Sequence, residues 1–184
     1  MHKLAKERIK RFWALNIFMR KRFWALNIFR RRIVRIGVGG WGKGYAPQIL
    51  HTEFVIECVV LVLYSPTQKF GAMGHIKYGL GGTRAGLEKA LKWFQKEKIP
   101  LSEVRAYIYY NANWMVRLKL AIKPTIKILK DFLSRNGITP NAPYGHSQYI
   151  PLVVDFDLKK GEPSFSKDTS NFALKALRLD HLFE

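Results

Sequence analysis

Acidic residues are scarce in this sequence. Thirteen Asp and Glu stand against 32 Lys and Arg among 184 residues, a formal charge of +19. That imbalance disfavours a basic partner and favours a polyanionic one: nucleic acid, an anionic membrane surface or an acidic protein. Cysteine is nearly absent. The single Cys58 excludes an intramolecular disulfide, so stability must come from a packed core, and a reducing, cytoplasmic setting is expected. No apolar run reaches the roughly 20 residues that a bilayer-spanning helix needs. The apolar stretches near the N-terminus are split by Arg20-Lys21-Arg22, and they lack the uninterrupted core and small-residue cleavage site of a secretory signal. His2, His51, His146 and His181 are scattered without ligand spacing, so neither a metal nor another cofactor is expected.

With 48% hydrophobic and 24% charged residues, the chain can bury a core, and its length suits one domain with an appendage. The appendage is residues 1–32, which write KRFWALNIF twice, from Lys10 and from Lys21. Twelve basic residues against Glu7 give residues 1–35 a net +11 and leave +8 for the rest. As a helix, the 11-residue period brings copies back to nearly the same face, since three turns take about 11 residues. The apolar side chains still point around much of that helix, so something must wrap it. It can pack on its own domain or on a second copy. It can dock on RNA, with Lys10, Arg11, Arg20, Lys21, Arg22, Arg30, Arg31 and Arg32 meeting phosphates while Trp13 and Trp24 stack on bases. It can also lie in a headgroup boundary.

From Ile33 the pattern becomes that of a compact domain. Ile33 to Val38 reads as a strand, followed by Gly37-Val-Gly-Gly-Trp-Gly-Lys-Gly44. This stretch matches a dinucleotide-binding GxGxxG and most of a phosphate-binding P-loop, but both need a following helix. Gly44 and Pro47 oppose one, so a glycine-rich loop is the expected reading. Phe54 to Tyr64 reads as one buried strand, hairpinned through Ser65–Lys69 onto Phe70–Lys77. Thr83 caps a helix running to about Glu97, with Leu87, Ala90, Leu91 and Phe94 on one face. A strand over Val104–Tyr110, a helix from about Lys123 to Arg135 stopped by Gly137, and a strand over Tyr149–Phe156 follow. A C-terminal helix is expected from about Ser170 to Phe183. This order predicts an α/β, α+β layered sandwich: a mixed sheet with two packed helices, a basic N-terminal arm and a C-terminal helical tail from 166.

The residues with chemistry are Thr52, Cys58 and His75. A lone cysteine in an apolar strand is usually an inert core residue. A nucleophilic cysteine needs a base within reach, and His75 falls on the expected partner strand of the hairpin that carries Cys58.

Four segments together resemble the CheD family, the chemoreceptor glutamine deamidases of bacterial and archaeal chemotaxis. They are RIVRIGVGGWGKG, HTEFVIECVVLVLYSPTQKFGAMGHI, YIYYNANWM and IKILKDFLSRNGI, and the resemblance runs from about Ile33 to Phe165. In that family a Thr six residues before a Cys and a His seventeen after it form the active site, spacings at which Thr52, Cys58 and His75 stand. The resemblance therefore implies a CheD-like fold over 33–165 and a cysteine amidohydrolase acting on glutamine side chains of a chemoreceptor-type protein. Where the family usually reads Thr-Leu-Gly-Leu-Gly-Ser-Cys, this chain has Thr-Glu-Phe-Val-Ile-Glu-Cys, and Tyr110-Asn111 replaces a later Gly-Gly. A second reading thus stays open, in which the deamidase-like fold is a scaffold and the basic arm binds RNA or associates with the ribosome.

Overall fold

The computed structural model describes residues 32–77, 83–112, 116–146 and 151–168. Its centre is strand β4 (Val59–Ser65), in which every residue is buried. Side chains alternate along a strand. Val59, Leu61 and Leu63 therefore enter one hydrophobic core, and Val60, Val62 and Tyr64 enter a second on the opposite face. A strand apolar on both faces needs a layer on each side, and each such side chain removed from water contributes roughly 1.5–3 kcal/mol.

The sheet around β4 has five strands in the order β2 (Trp41–Tyr45), β5 (Phe70–Ile76), β4, β6 (Arg105–Asn111), β7 (Tyr144–His146). It is mixed, because β6 and β7 run parallel while β2, β5, β4 and β6 alternate in direction. Two helices supply the buried apolar faces of the first core. Helix α1 (Thr83–Lys96) brings Leu87, Ala90, Leu91 and Phe94, and helix α2 (Val116–Arg135) brings Ile122, Leu129 and Leu133. The second core is closed by a four-stranded sheet ordered β1 (Ile33–Arg35), β3 (Ile49–Val55), β8 (Leu152–Asp157), β9 (Glu162–Lys167). It contributes Leu50, Leu152, Val154 and Phe156. The expected α/β layered architecture with a mixed sheet and two helices holds, and the second sheet makes it three layers.

Several boundaries depart from the sequence reading. The expected strand Phe54–Tyr64 is two strands in two sheets. The pairing of β3 with β8 shifts register between Thr52 and Val55, Phe54 takes a left-handed φ of 60°, and the chain bends at Ile56 and Glu57 before β4 begins. Val55, Ile56 and Cys58 stay buried through the bend, so only the half-buried Glu57 interrupts the apolar run. The hairpin itself is as expected, with Val59 opposite Ile76 and Ser65 opposite Phe70.

The glycine-rich stretch is half strand, because Trp41 to Tyr45 form β2, and no helix follows it. Gly39, at φ +76°, donates its N–H to the His75 carbonyl at 2.8 Å, while the His75 N–H reaches the Gly40 carbonyl at 3.0 Å. The loop therefore braces the backbone of His75. Helix α2 starts seven residues before the expected Lys123 and carries Pro124 inside it. The strand expected over Tyr149–Phe156 is described as β8 from Leu152 to Asp157. Strands β7 and β9 had no clear apolar signal; β9 is an edge strand with Pro163 and no buried residue. The N-terminal arm up to Arg31 and the C-terminal helix lie outside the described residues. No helix among the described residues is long and apolar enough to cross a membrane.

Candidate active site

Two rows of residues meet across the second core. In the five-stranded sheet, Val60 of β4 stands opposite His75 of β5 on one side and Tyr109 of β6 on the other. In the four-stranded sheet, Val154 of β8 stands opposite Thr52 of β3 and Phe165 of β9. The rows lie one over the other. Thr52 Oγ1 is 2.7 Å from His75 Nδ1, and the rings of Tyr109 and Phe165 meet edge to face with centroids 5.3 Å apart.

Thr52 and His75 are both fully buried, and their hydrogen bonds fix a tautomer. Thr52 Oγ1 also lies 2.7 Å from the Ile36 carbonyl, which can only accept. The single hydroxyl proton therefore goes to Ile36, and His75 Nδ1–H must donate to Thr52 Oγ1. That leaves His75 Nε2 as a bare lone pair, buried and without a hydrogen-bond partner. Burial lowers the His75 pKa to about 4, so the ring is neutral and Nε2 is available as a base at neutral pH.

Cys58 is 5% exposed and immediately precedes β4, two residues before Val60. By alternation its side chain shares the second core with Val60 and Met73, the face on which His75 lies. His75 is thus a diagonal neighbour of Cys58 and not its direct opposite, which corrects the simple facing pair. Diagonal positions are about 7–8 Å apart at the backbone, and no hydrogen bond joins the two side chains, since Nε2 has no partner. Burial, and after it the Glu57 charge, push the Cys58 thiol up to about 11 against the opposing Lys77. Cysteine and histidine are therefore both held in their neutral forms.

Thr52, Cys58 and His75 are thereby gathered on one buried surface. Of the arm residues, Arg32 is exposed, and Lys10, Arg11, Trp13, Arg20, Lys21, Arg22, Trp24, Arg30 and Arg31 lie outside the described residues. Two polar residues of this surface were not among the expected site residues. Tyr109 is 3% exposed with its hydroxyl unpartnered, and Asn111 follows it on the same face of β6, fully buried. Tyr107, Tyr109 and Asn111 alternate in the segment YIYYNANWM, but the face they occupy follows only from the pairing of β6 with β4.

Behind Thr52, on the outer face of the four-stranded sheet, His51 is clasped by carboxylates on both ring nitrogens. Asp155 Oδ1 lies 2.6 Å from Nδ1 and Glu53 Oε1 2.6 Å from Nε2. Arg35 meets the same Glu53 oxygen at 2.9 Å. The hydrogen bond to Asp155, followed by that to Glu53, raises the His51 pKa against the opposing effect of burial. Among the described residues no group of three His, Cys, Asp or Glu side chains is placed to hold a metal ion.

No family model matches the chain, and no curated protein matches it. Solved structures similar to it at a distance include two of low identity. A hypothetical protein of Bacillus licheniformis, YfiH, is 15% identical with a TM-score of 0.41, over 56% of this chain and 50% of that one. A Neisseria meningitidis protein of the family DUF152 is 11% identical with a TM-score of 0.46, over 70% of this chain and 69% of that one. The first match thus spans half the length of its relative, and neither likeness carries an argument about chemistry.

Proposed function

We propose that the protein is a cysteine amidohydrolase of the CheD type, deamidating glutamine side chains of a chemoreceptor or another glutamine-bearing protein in the cytoplasm. The observation that carries this reading is the Thr52–His75 hydrogen bond. It orients an unprotonated Nε2 on the face of the hairpin that also holds the only cysteine, at the spacings by which the sequence resembles that family. Support also comes from the neutral state of His75, because a neutral imidazole is what removes a thiol proton.

In the reaction, Cys58 Sγ attacks the carboxamide carbon as its proton passes to His75 Nε2, and the carbonyl π pair moves onto oxygen. Collapse of that adduct breaks the C–N bond, and His75 returns the proton to the departing nitrogen, releasing ammonia. Water then attacks the thioester, giving its proton to His75; the C–S bond breaks, and the proton returns to sulfur. The net change is carboxamide plus water to carboxylic acid plus ammonia. Thr52 holds Nδ1–H throughout, keeping Nε2 as the proton-accepting atom.

The test is ammonia release from glutamine-bearing receptor peptides, lost in Cys58→Ala and in His75→Gln. No release from any receptor substrate by the intact protein overturns the reading.

A second reading belongs to a different class and is favoured by two observations. The +11 of residues 1–35 has no part in the chemistry above, and the Cys58 thiol is held protonated. In it the domain is a scaffold and the arm binds RNA, the ribosome or an anionic membrane surface. Co-sedimentation with ribosomes at low salt, lost as salt rises and weakened by deletion of residues 1–32, supports it. Recovery free of nucleic acid from gently lysed cells counts against it.

A further inference from the structure

Acyl transfer needs a nucleophile, a base and a donor for the oxygen that becomes negative. Thr52, Cys58 and His75 supply the first two functions only. Among the described residues, two buried side-chain polar atoms have no hydrogen-bond partner, His75 Nε2 and the Tyr109 hydroxyl. They belong to the two residues flanking Val60, one on each neighbouring strand. Cys58, two residues before Val60 on the same face, is diagonal to both. The nucleophile therefore has the base on one side and a phenol on the other, at equivalent positions in the sheet.

We infer that the Tyr109 hydroxyl is the donor that holds the carbonyl oxygen of a carboxamide bound at Cys58, an assignment that rests on the amidohydrolase reading. A buried phenol ordinarily finds a partner within the protein. Tyr109 is 3% exposed and has none, while its ring is fixed by Phe165 at 5.3 Å and Tyr107 at 6.3 Å. Burial, and secondarily Tyr107, raise its pKa, so it stays a neutral donor through the working pH range. The complementary group is His75 Nε2, which faces the carboxamide nitrogen and returns to it the proton taken from Cys58. A primary carboxamide offers an oxygen to the first and a leaving nitrogen to the second, whereas the carboxylate product offers no nitrogen. Tyr109 is thus a catalytic residue that holds the reacting carbonyl oxygen, whereas the choice of amide over acid rests on the nitrogen that meets His75.

Tyr109→Phe removes one oxygen and keeps both ring contacts, so the fold is retained. Two measurements separate this inference from the reading beneath it. The first is alkylation of Cys58, the only cysteine, by iodoacetamide relative to iodoethane, which lacks the amide. The ratio of the two rates should fall about fivefold in Tyr109→Phe, as expected for loss of one hydrogen bond. An unchanged ratio overturns the assignment whether or not the protein turns over. The second is ammonia release from a glutamine peptide. Where the wild type releases ammonia, kcat should fall by about 100-fold in Tyr109→Phe with KM little altered, and an equal kcat overturns the assignment. Absence of release in the wild type with an amide preference that depends on Tyr109 removes the deamidase reading and leaves the carboxamide site standing.

Discussion

Thr52 Oγ1 and His75 Nδ1 stand 2.7 Å apart, although the two residues belong to different sheets. This buried bond ties the four-stranded sheet to the five-stranded one and at the same time selects which imidazole nitrogen is free. The same hydroxyl reaches the Ile36 carbonyl, so one side chain sets both a structural seam and a protonation state.

Thr52→Val keeps the shape of the side chain and removes both bonds. It leaves the Ile36 carbonyl and His75 Nδ1–H buried without partners, which costs about 1–3 kcal/mol for each group. Urea unfolding should show a loss in that range, and imidazole nitrogen shifts should show Nε2 no longer uniquely deprotonated. Thr52→Ser should restore most of both. A wild-type tautomer in Thr52→Val would falsify the assignment of Thr52 as the orienting residue.

Cys58 should be a slow nucleophile at neutral pH in the free protein. Its alkylation rate should climb with pH towards the thiol value of about 11, with little plateau below pH 9. Glu57→Gln removes the second contribution to that rise and should move the profile to lower pH; Lys77→Met should move it to higher pH. Because burial is the largest cause, neither variant should return the thiol to its ordinary range. A profile in Glu57→Gln that matches a free thiol would show that charge, not burial, dominates.

His75 sets an acid limit on stability. Its pKa falls from 6.5 unfolded to about 4 folded, so between those values the unfolded chain binds the extra proton. Stability therefore falls as pH drops from about 6.5 to about 4 and is level with respect to this group outside that window. The difference amounts to something on the order of 3 kcal/mol. Denaturation midpoints measured across this window for wild type and His75→Leu should converge as the pH falls. Parallel curves would mean that His75 is not buried as a neutral ring.

His51 acts with the opposite sign. Its pKa is raised by Asp155 and Glu53, so its contribution is fully present below the unfolded value near 6.5 and is lost as pH rises through the folded value. Wild-type stability should decline above neutrality relative to His51→Gln, and Asp155→Asn should remove most of that slope. The same decline in His51→Gln would assign the effect elsewhere.

Gly86 of α1 and Gly74 of β5 enclose the Trp41 indole. A Cβ on Gly74 would stand 2.7 Å from the ring, and one on Gly86 would collide with Trp41 Nε1. Gly86→Ala should destabilise by about 1–3 kcal/mol, an overpacking cost greater than the gain that alanine brings to an open helix. Increased stability in a thermal melt would show that the indole is free to move.

Much of the layered architecture could be read from pattern. The continuous apolar run ending at Tyr64, its hairpin partner and the apolar face of α1 follow from local pattern, because local geometry alone sets which residues share a face. The resemblance to the CheD family pointed to Thr52, Cys58 and His75 as candidates, and the excess of basic residues follows from composition. Other features depend on contacts between residues distant in the chain. The bend at Ile56–Glu57 interrupts the apolar run only at the half-buried Glu57, so only packing reveals that Thr52 lies on β3 while Cys58 leads into β4 of the other sheet. The roles of His75 Nδ1 and Nε2 depend on a hydroxyl 23 residues away. The position of Tyr109 beside the same valine as His75 depends on the register of β6 against β4. The sequence determined which side chains face inward; the tertiary structure decided which of them meet, because register and sheet stacking are fixed by the whole core and not by any one segment.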